Sequence, residues 1–244
     1  MAESKIITPY QDIHRSKKDQ VTEMFDKISP SYDFLNHALS LGMDIRWRRR
    51  AIKLLKPYRP ETVLDIATGT GDFAVEAMRL NPSRVIGIDI SAGMLEVGRK
   101  KIEKRNLSDK IEMILGDCEA LPLDDNSIGA VTVGFGARNF EHLEVGLGEI
   151  LRVLRPGHAA AILEPSVPTR FPMKQVFSAY FKWLLPTLGR LVSGDQRAYT
   201  YLPESVKAFP NGEEFVAICR KVGFRKCRYQ PLTLGICSLY ILEK

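Results

Sequence analysis

Hydrophobic and polar residues alternate in two ways along the chain, and the change divides the sequence. Residues 17–56 are typical of helices, with turn signals at Ser29-Pro30 and at Gly42. From residue 61 short apolar runs alternate with helical segments. This pattern predicts strands and helices, in turn, at 62–66, 72–80, 84–89, 91–105, 111–115, 128–134, 142–154 and 158–163, of which 111–115 and 128–134 are consecutive strands.

Strands that alternate with helices are typical of a parallel sheet with helices on both faces. We therefore expect an α/β fold in one structural unit, with an N-terminal helical cap at 1–60 and the main domain at 61–244. A helix at 211–222 and strands near 224–230 and 235–242 follow. The two strands are expected to form an antiparallel hairpin at the sheet edge, with its break at Gln230-Pro231.

The segment 165–210 is predicted to be a helical insertion before the last strands. Its apolar positions share helical spacing and form one stripe: 173, 176, 177, 180, 181, 184, 185, 188, 191 and 192. Pro186 is expected to bend this helix. The stripe has two interpretations, because it either packs on the sheet or covers an apolar substrate as a lid.

Composition excludes several classes of protein. No apolar run approaches the roughly 18 residues of a membrane span. The first residues lack the apolar core of a signal peptide and contain acids that transit peptides avoid, which predicts a cytoplasmic protein. The cysteines form no C-x-x-C pair, so we expect free thiols and no metal at Cys118, Cys219, Cys227 and Cys237.

Positive charge is concentrated at the N-terminus. Residues 1–60 carry 12 Lys and Arg against 7 Asp and Glu, whereas the remainder carries 23 against 22. The densest part is "RWRRR", Arg46 to Arg50. Such a run attracts nucleic acid or an anionic membrane surface, or is a solvated helix face.

The stretch "VLDIATGTGDFA" predicts a strand, a glycine-rich turn and a helix. Gly69, Thr70 and Gly71 satisfy the relaxed dinucleotide-binding pattern. A diphosphate at a helix N-terminus needs the positive end of the helix dipole, but Asp72 occupies that field and would repel it. A ligand with an amino group and a sulfonium would accept Asp65 and Asp72 nearby, which predicts S-adenosylmethionine as cofactor.

Two further acids follow the next predicted strands. Asp89 ends "VIGID", where a carboxylate can accept hydrogen bonds from ribose hydroxyls. Asp117, with the backbone of Cys118, is expected to meet the adenine edge. Acids at successive strand ends lie together at the carboxyl edge of a parallel sheet, where ligands of α/β proteins bind.

The chain resembles, over nearly its full length, the quinone C-methyltransferases of menaquinone and ubiquinone biosynthesis. The resemblance rests on "VTEMFDKISPSYDFLNHALSLGMDIRWRR", "GDCEALPLDDNSIGAVTVGFGARNF", "LRVLRPG" and "YLPESVKAFPNGEEF". It implies a Rossmann-like, SAM-dependent methyltransferase with a mostly parallel seven-stranded sheet. It also implies C-methylation of a prenylated hydroquinone, with demethylmenaquinol favoured and a ubiquinone precursor or a soluble phenol left open.

The resemblance also implies individual roles. The family's cofactor residues correspond to Thr70, Asp89 and Asp117-Cys118. Gly134 stands where relatives often have serine, so one cofactor hydrogen bond is expected to be lost or supplied by backbone. His158 and Pro165 also depart from the family pattern and affect the shape of the pocket.

Methylating a ring carbon requires a phenolate, which pushes electron density onto the neighbouring carbon. Arg138 in "FGARN" is expected to stabilise this phenolate electrostatically, but it cannot be the base. The structural alternatives for Arg138 are an ion pair with Glu141 and a cap for the following helix. The resemblance implies Tyr32 and Asn139 as supports of proton removal; His37 and His142 are weaker candidates for the base.

Partners follow from these expectations. The substrate is a prenylated quinol, the basic cap and the insertion helix contact the membrane surface peripherally, and a homodimer is left open. No nucleic acid is expected, although "RWRRR" leaves an RNA-binding protein on a methyltransferase fold as the alternative outside enzymes. Prenyl tail length and the identity of the proton acceptor stay open.

Overall fold

The computed structural model describes residues 7–169, 171–179 and 196–244. Its helices are α1 Lys17–Ile28, α2 Tyr32–Ser40, α3 Met43–Leu55, α4 Asp72–Ala77, α5 Ala92–Lys104, α6 Leu143–Val153, α7 Met173–Ala179, α8 Gln196–Ala208 and α9 Glu213–Val222. Its strands are β1 Thr62–Ile66, β2 Arg84–Asp89, β3 Ile111–Leu115, β4 Ile128–Gly134, β5 Leu154–Pro165, β6 Lys226–Leu232 and β7 Cys237–Glu243.

The strands form one seven-stranded sheet in the order β3-β2-β1-β4-β5-β7-β6. The first five strands are parallel, whereas β7 is antiparallel to both β5 and β6. This arrangement confirms the predicted α/β fold with its closing hairpin. The strand order reverses between β1 and β4, the position at which open α/β sheets bind ligands.

Both faces of the sheet are covered at its centre, which explains why β1 and β4 are almost continuously buried. Neighbouring residues of β1 point to opposite sides, so that Val63 and Leu64 belong to different core clusters. Helices α3, α4 and α5 supply Ile52 and other apolar residues to one cluster. Helices α6 and α9 supply the other, which includes Leu147 and Phe215.

The N-terminal helices begin and end at the predicted turns. Ser16 caps α1 by accepting a hydrogen bond from the Asp19 N–H at 3.0 Å. A 3-10 turn at Ser29–Ser31 separates α1 from α2, and Gly42 precedes α3. Residues 17–56 therefore form three helices connected by short turns, as the sequence predicts.

The predicted break of the hairpin is wrong. Pro231 lies inside β6, paired with Ser238 of β7, because β6 is the edge strand and an edge strand tolerates a residue without an N–H donor. The chain turns instead at 233–235, where three consecutive residues have positive φ. Strand β5 also begins at Leu154 rather than 158, since its first residues continue the sheet after α6.

The insertion contains α7 and α8. Residues 180–195, which include Pro186 and most of the predicted apolar stripe, lie outside the described residues. None of the helices at 7–169, 171–179 and 196–244 has the length and apolarity that crossing a membrane requires.

Candidate functional site

The carboxyl ends of the central strands surround a cavity of about 70 Å³. Of the residues expected to hold the cofactor, Gly69, Asp89, Asp117, Cys118 and Gly134 line it. Lys18, Val21 and Phe25 of α1 form part of its wall. This volume is smaller than the roughly 300–1,000 Å³ of typical ligand pockets.

Asp89 holds the glycine-rich turn against the end of β2. Its carboxylate accepts hydrogen bonds from the Gly69 N–H at 2.7 Å and the Ser91 N–H at 2.9 Å. Burial raises the pKa of Asp89 to about 6. Gly69 and Gly71 have φ of 56° and 80°, a conformation that glycine adopts without strain.

Asp65 is fully engaged inside the fold. Its two carboxylate oxygens accept hydrogen bonds from Thr68 Oγ1 at 2.6 Å and Thr132 Oγ1 at 2.7 Å, which fixes the start of the turn after β1. Burial raises its pKa to about 6. Asp65 and Thr70 border an adjoining cavity of about 30 Å³ rather than the larger one. The Thr70 hydroxyl bonds to Asp33 and, at 3.1 Å, to Lys101 Nζ.

Asp117 is connected to the N-terminal cap. Lys18 Nζ forms an ion pair with its carboxylate and lies 3.7 Å from Glu119. Burial acts to raise the pKa of Asp117, but the hydrogen bonds from Lys18 and the Glu119 N–H, together with the charge of Lys18, outweigh it and the pKa is lowered. Burial raises the pKa of the neighbouring Cys118 thiol, which stays neutral.

Asp72 does not present a free negative charge to the turn. Its carboxylate lies 2.6 Å from Lys101 Nζ, 3.4 Å from Arg48 Nη2 and 3.5 Å from His37 Nε2. Burial acts to raise its pKa, but Arg48 and Lys101 outweigh this effect and the pKa is lowered. The expected repulsion of a diphosphate by Asp72 is therefore largely cancelled by neighbouring cations, which sequence alone did not reveal.

In the described part of the chain, three side chains of kinds that can bind a metal ion form one cluster. His37, Asp44 and Asp72 bring their ligand atoms within 4.8 Å of one another. Arg48 Nη1 lies 2.6 Å from Asp44, and Lys101 pairs with Asp72. These cations already balance the carboxylates, so the group is an ion-pair network that joins α2, α3, α4 and α5.

Gly134 leaves no room for the serine that relatives often carry. A Cβ atom at this position would lie 2.9 Å from Phe73 Cδ1, closer than such contacts occur. Gly134 thus leaves space for the phenyl ring of Phe73 on α4.

A second cavity, of about 420 Å³, adjoins the first and is bounded mainly by apolar side chains of α1, α2, α3 and the insertion. Phe25, Tyr32 and Phe135 line both cavities. Tyr32 therefore stands at the junction of the two cavities. Burial raises its pKa to about 12, so its hydroxyl stays protonated and acts as a donor.

Arg138 lines the apolar cavity, and its ion-pair partner is Glu164 rather than Glu141, the partner in the structural alternative. The Arg138 N–H donates to Glu164 Oε1 at 3.3 Å, and Nη1 lies 3.1 Å from Oε2. Nη1 also donates to the Phe135 carbonyl. Its Nε is buried and has no hydrogen-bond partner among the described residues. Glu141 instead accepts from the Lys17 N–H at 2.8 Å.

Asn139 contacts the insertion. Its Oδ1 accepts a hydrogen bond from the Tyr201 hydroxyl at 3.0 Å, which joins the "FGARN" turn to α8. Burial raises the pKa of Tyr201 to about 12. Sequence reasoning missed Tyr201 as a residue of this site, although "YLPESV" was part of the resemblance; it also missed Glu164.

The histidines are engaged away from the junction of the cavities. His37 Nδ1 lies 2.8 Å from Asp44, and exposed His142 lies 2.9 Å from Glu119. Neither lines the two cavities that meet at Tyr32. Lys17 Nζ donates to the carbonyls of Arg138 and Phe140. Burial lowers the pKa of Lys17 to about 8.

The sequence matches the model of the ubiE/COQ5 methyltransferase family over residues 13–244. The chain belongs to this family. It is 52% identical to the demethylmenaquinone methyltransferase of Bacteroides fragilis, over 98% of this chain and 97% of the relative. It is 44% identical to the ubiquinone/menaquinone biosynthesis C-methyltransferase of Geobacter sulfurreducens, over 93% and 90%.

Solved structures agree on the fold of this ubiE/COQ5 member. A SAM-dependent methyltransferase from Aquifex aeolicus superposes with a TM-score of 0.57 at 19% identity, over 79% of this chain and 88% of that one. Membership and fold together identify the chain as a SAM-dependent methyltransferase with a Rossmann-like fold. The buried acceptor Asp89 and the acid-lined cavity fit a cofactor with ribose hydroxyls and positive charge.

Proposed function

We propose that this protein methylates a ring carbon of a prenylated hydroquinone, converting demethylmenaquinol to menaquinol. The observation that carries the proposal is the unpartnered donor of Arg138 at the wall of the apolar cavity, beside the cofactor cavity. Relatives named for demethylmenaquinone support the substrate class. The apolar cavity suits a ring with a hydrocarbon tail.

We assign the cofactor to the cavity at the carboxyl ends of the central strands, which is lined by Asp89 and Asp117. Asp89 accepts from the ribose, Asp117 and the Cys118 backbone meet the adenine, and Gly69, Thr70, Gly71 and Gly134 shape the turn around the methionine part, with Asp65 fixing that turn from below. Bound S-adenosylmethionine supplies an electrophilic methyl group. Helix α1 of the cap borders this cavity through Lys18 and Phe25.

Arg138 has the electrostatic role in this mechanism. Its guanidinium donates to a quinol oxygen and favours the phenolate, because charge stabilisation in a water-excluded site is stronger than in water. Glu164 holds the guanidinium in place, so that Arg138 keeps one orientation. The ring carbon beside the phenolate would thereby become nucleophilic toward the methyl group. Transfer would break the bond between sulfur and methyl, leave S-adenosylhomocysteine, and release the ring proton to water or a hydroxyl relay as the aromatic ring is restored.

Tyr32 and Asn139 position the acceptor. The protonated Tyr32 hydroxyl donates at the junction of the cavities, and Asn139 is fixed by Tyr201. Proton removal falls to water or a hydroxyl relay, since Arg138 stays charged. The protein is cytoplasmic and takes its substrate at the membrane surface.

A ubiquinone precursor is the second candidate, favoured by the Geobacter relative named for both quinones. The RNA-binding alternative loses one of the four arginines of "RWRRR", because Arg48 is buried between Asp44 and Asp72.

Product mass after incubation with S-adenosylmethionine tests the proposal. Reduced short-tailed demethylmenaquinol is expected to gain one methyl on a ring carbon, whereas the oxidised quinone gains none because it cannot form the phenolate. A parallel incubation with a demethylated ubiquinone precursor separates the two candidates. Cofactor binding without methylation of either quinol would sink the substrate assignment and leave the methyltransferase family intact.

Cofactor binding is expected to depend on pH through Asp89. With its pKa near 6, Asp89 is ionised at pH 7 and protonated at pH 5, and the protonated acid is a poorer acceptor. Affinity for S-adenosylmethionine should therefore fall as pH drops below 6, approaching about tenfold per pH unit. Calorimetric titration between pH 5 and 7.5 measures this.

Two variants identify the carboxyl group that causes this pH dependence. Asp89→Asn should bind weakly and with little pH dependence, whereas Asp65→Asn should keep the slope, although the pKa of Asp65 is also near 6. If Asp65→Asn abolishes the slope and Asp89→Asn preserves it, the titrating group is Asp65 and the role assigned to Asp89 is wrong.

A further inference from the structure

Two turns expose leucines in the left-handed backbone region. Leu41, at the end of α2, has φ 52° and is 81% exposed. Leu234, in the turn between β6 and β7, has φ 57° and is 76% exposed. Left-handed backbone is unfavourable for leucine, and in water an exposed leucine gains nothing from burial to offset it.

Both turns border the same apolar cavity. Leu41 lines it, and Thr233 and Ile236 line it on either side of Leu234 in the chain. A hydrogen bond of 2.8 Å from Trp47 Nε1 to Thr233 Oγ1 fixes the second turn against α3. The exposed leucines therefore stand at the cavity that we assign to the quinol, on one side of the protein.

The outward face of α3 continues this surface with positive charge. Arg46, Arg49 and Lys53 are exposed, whereas Arg48 points inward to Asp44. Arg50 bonds to Gln230 Oε1 at 3.1 Å, which brings β6 alongside the basic face. Glu76, 3.6 Å from Arg49, is the acid paired with this face and leaves it net positive.

Apolar tips beside basic residues match the chemistry of an anionic bilayer surface. Leucine side chains enter the acyl boundary, while Lys and Arg contact lipid headgroups. A second protein copy would have to match like charge with like charge across a two-fold interface. Charge complementarity thus favours lipid over self-association.

We propose that Leu41, Leu234 and the basic face of α3 form a docking surface for an anionic bilayer, which opens the apolar cavity toward the membrane. This inference rests on the proposed quinol substrate only for the use of the cavity. Docking itself requires no substrate. A prenylated quinol would then enter sideways from the leaflet without crossing water.

Co-sedimentation with quinol-free vesicles tests the docking surface. We expect the full-length protein to bind phosphatidylcholine vesicles containing phosphatidylglycerol and to bind neutral vesicles or high-salt samples weakly. Leu41→Asn with Leu234→Asn should lower the partition coefficient at least about tenfold, since each buried CH₂ contributes to binding. Asparagine tolerates positive φ, so the double variant should retain the fold.

Matched controls identify the surface. Ile13→Asn replaces an apolar residue that is even more exposed than the two leucines and does not line the apolar cavity, so it should leave vesicle binding unchanged. Arg46→Gln with Lys53→Gln should reduce binding to anionic vesicles and its salt dependence.

Absence of vesicle binding by the unmodified protein, or equal binding by the double leucine variant, overturns the proposal. A dimer that the leucine variant dissociates, without vesicle binding, would assign the surface to self-association. Failure of methyl transfer alone would leave docking standing.

Discussion

Replacing Arg138 by methionine is expected to lower kcat for methylation of the reduced quinol about 10²–10³-fold, the loss typical of removing one preorganised donor to a developing anion. Methionine retains the length and apolar packing of the side chain but removes the charge and the free Nε donor. Affinity for S-adenosylmethionine should change little, because Arg138 lines the apolar cavity and not the cofactor cavity. Single-turnover kinetics with saturating cofactor measure the effect.

The pH profile separates electrostatic catalysis from structural damage. If Arg138 favours the phenolate, raising the pH toward about 10, the ordinary pKa of a phenol, should restore part of the activity of Arg138→Met. Arg138→Lys keeps the charge without the planar fork and should fall between the two proteins. A loss that is the same at every pH, measured at a temperature where the variant is still folded, would contradict the assigned role.

The architecture could be predicted because each strand is a short apolar run with a clear boundary. Strands β1 to β4 begin and end where the pattern places them. The turn of the closing hairpin was harder to predict, because a proline such as Pro231 usually marks the end of a strand. Pro231 is acceptable inside β6 only because β6 is the edge strand. Edge position depends on strand order, which no local pattern contains.

The candidate site was only partly accessible from the sequence. Strand ends brought Asp89 and Asp117 to the cofactor cavity, since parallel strands share one carboxyl edge. The partners of these groups lie far along the chain: Lys18 is on α1, and Tyr201 reaches Asn139 from the insertion. Contacts of this kind depend on how the cap and insertion pack, which motif spacing does not specify.

For two charged residues, the local sequence did contain a sign of their ion pairs, although the overall composition hides it. Arg48 belongs to a dense basic run, but Asp44 stands four residues earlier on the same helix, the spacing of a helical ion pair. Glu164 ends the otherwise apolar run "AAAILE" in β5. An acid at the end of a buried strand needs a cation, and Arg138 is that cation.

Glu164 is a positioning residue, and its partnership with Arg138 has a stability signature. Both side chains are buried, and burial raises the pKa of Glu164. Removing one member leaves an uncompensated buried charge, whereas removing both leaves none. Glu164→Gln preserves the side-chain shape and one acceptor for the Arg138 N–H, so it tests charge rather than volume.

We expect Glu164→Gln and Arg138→Met each to lower the free energy of unfolding by about 3–5 kcal/mol, and the double variant to lose less than either. At about 2–4 °C per kcal/mol for a chain of this size, each single variant should melt roughly 10 °C lower. The exposed pair Arg84 and Glu112 supplies the matched control, because the same cycle there should give a coupling of about 0–1 kcal/mol. Additive losses at Arg138 and Glu164 in urea unfolding would mean that the two charges do not depend on each other, and that Arg138 is held by the Phe135 carbonyl alone.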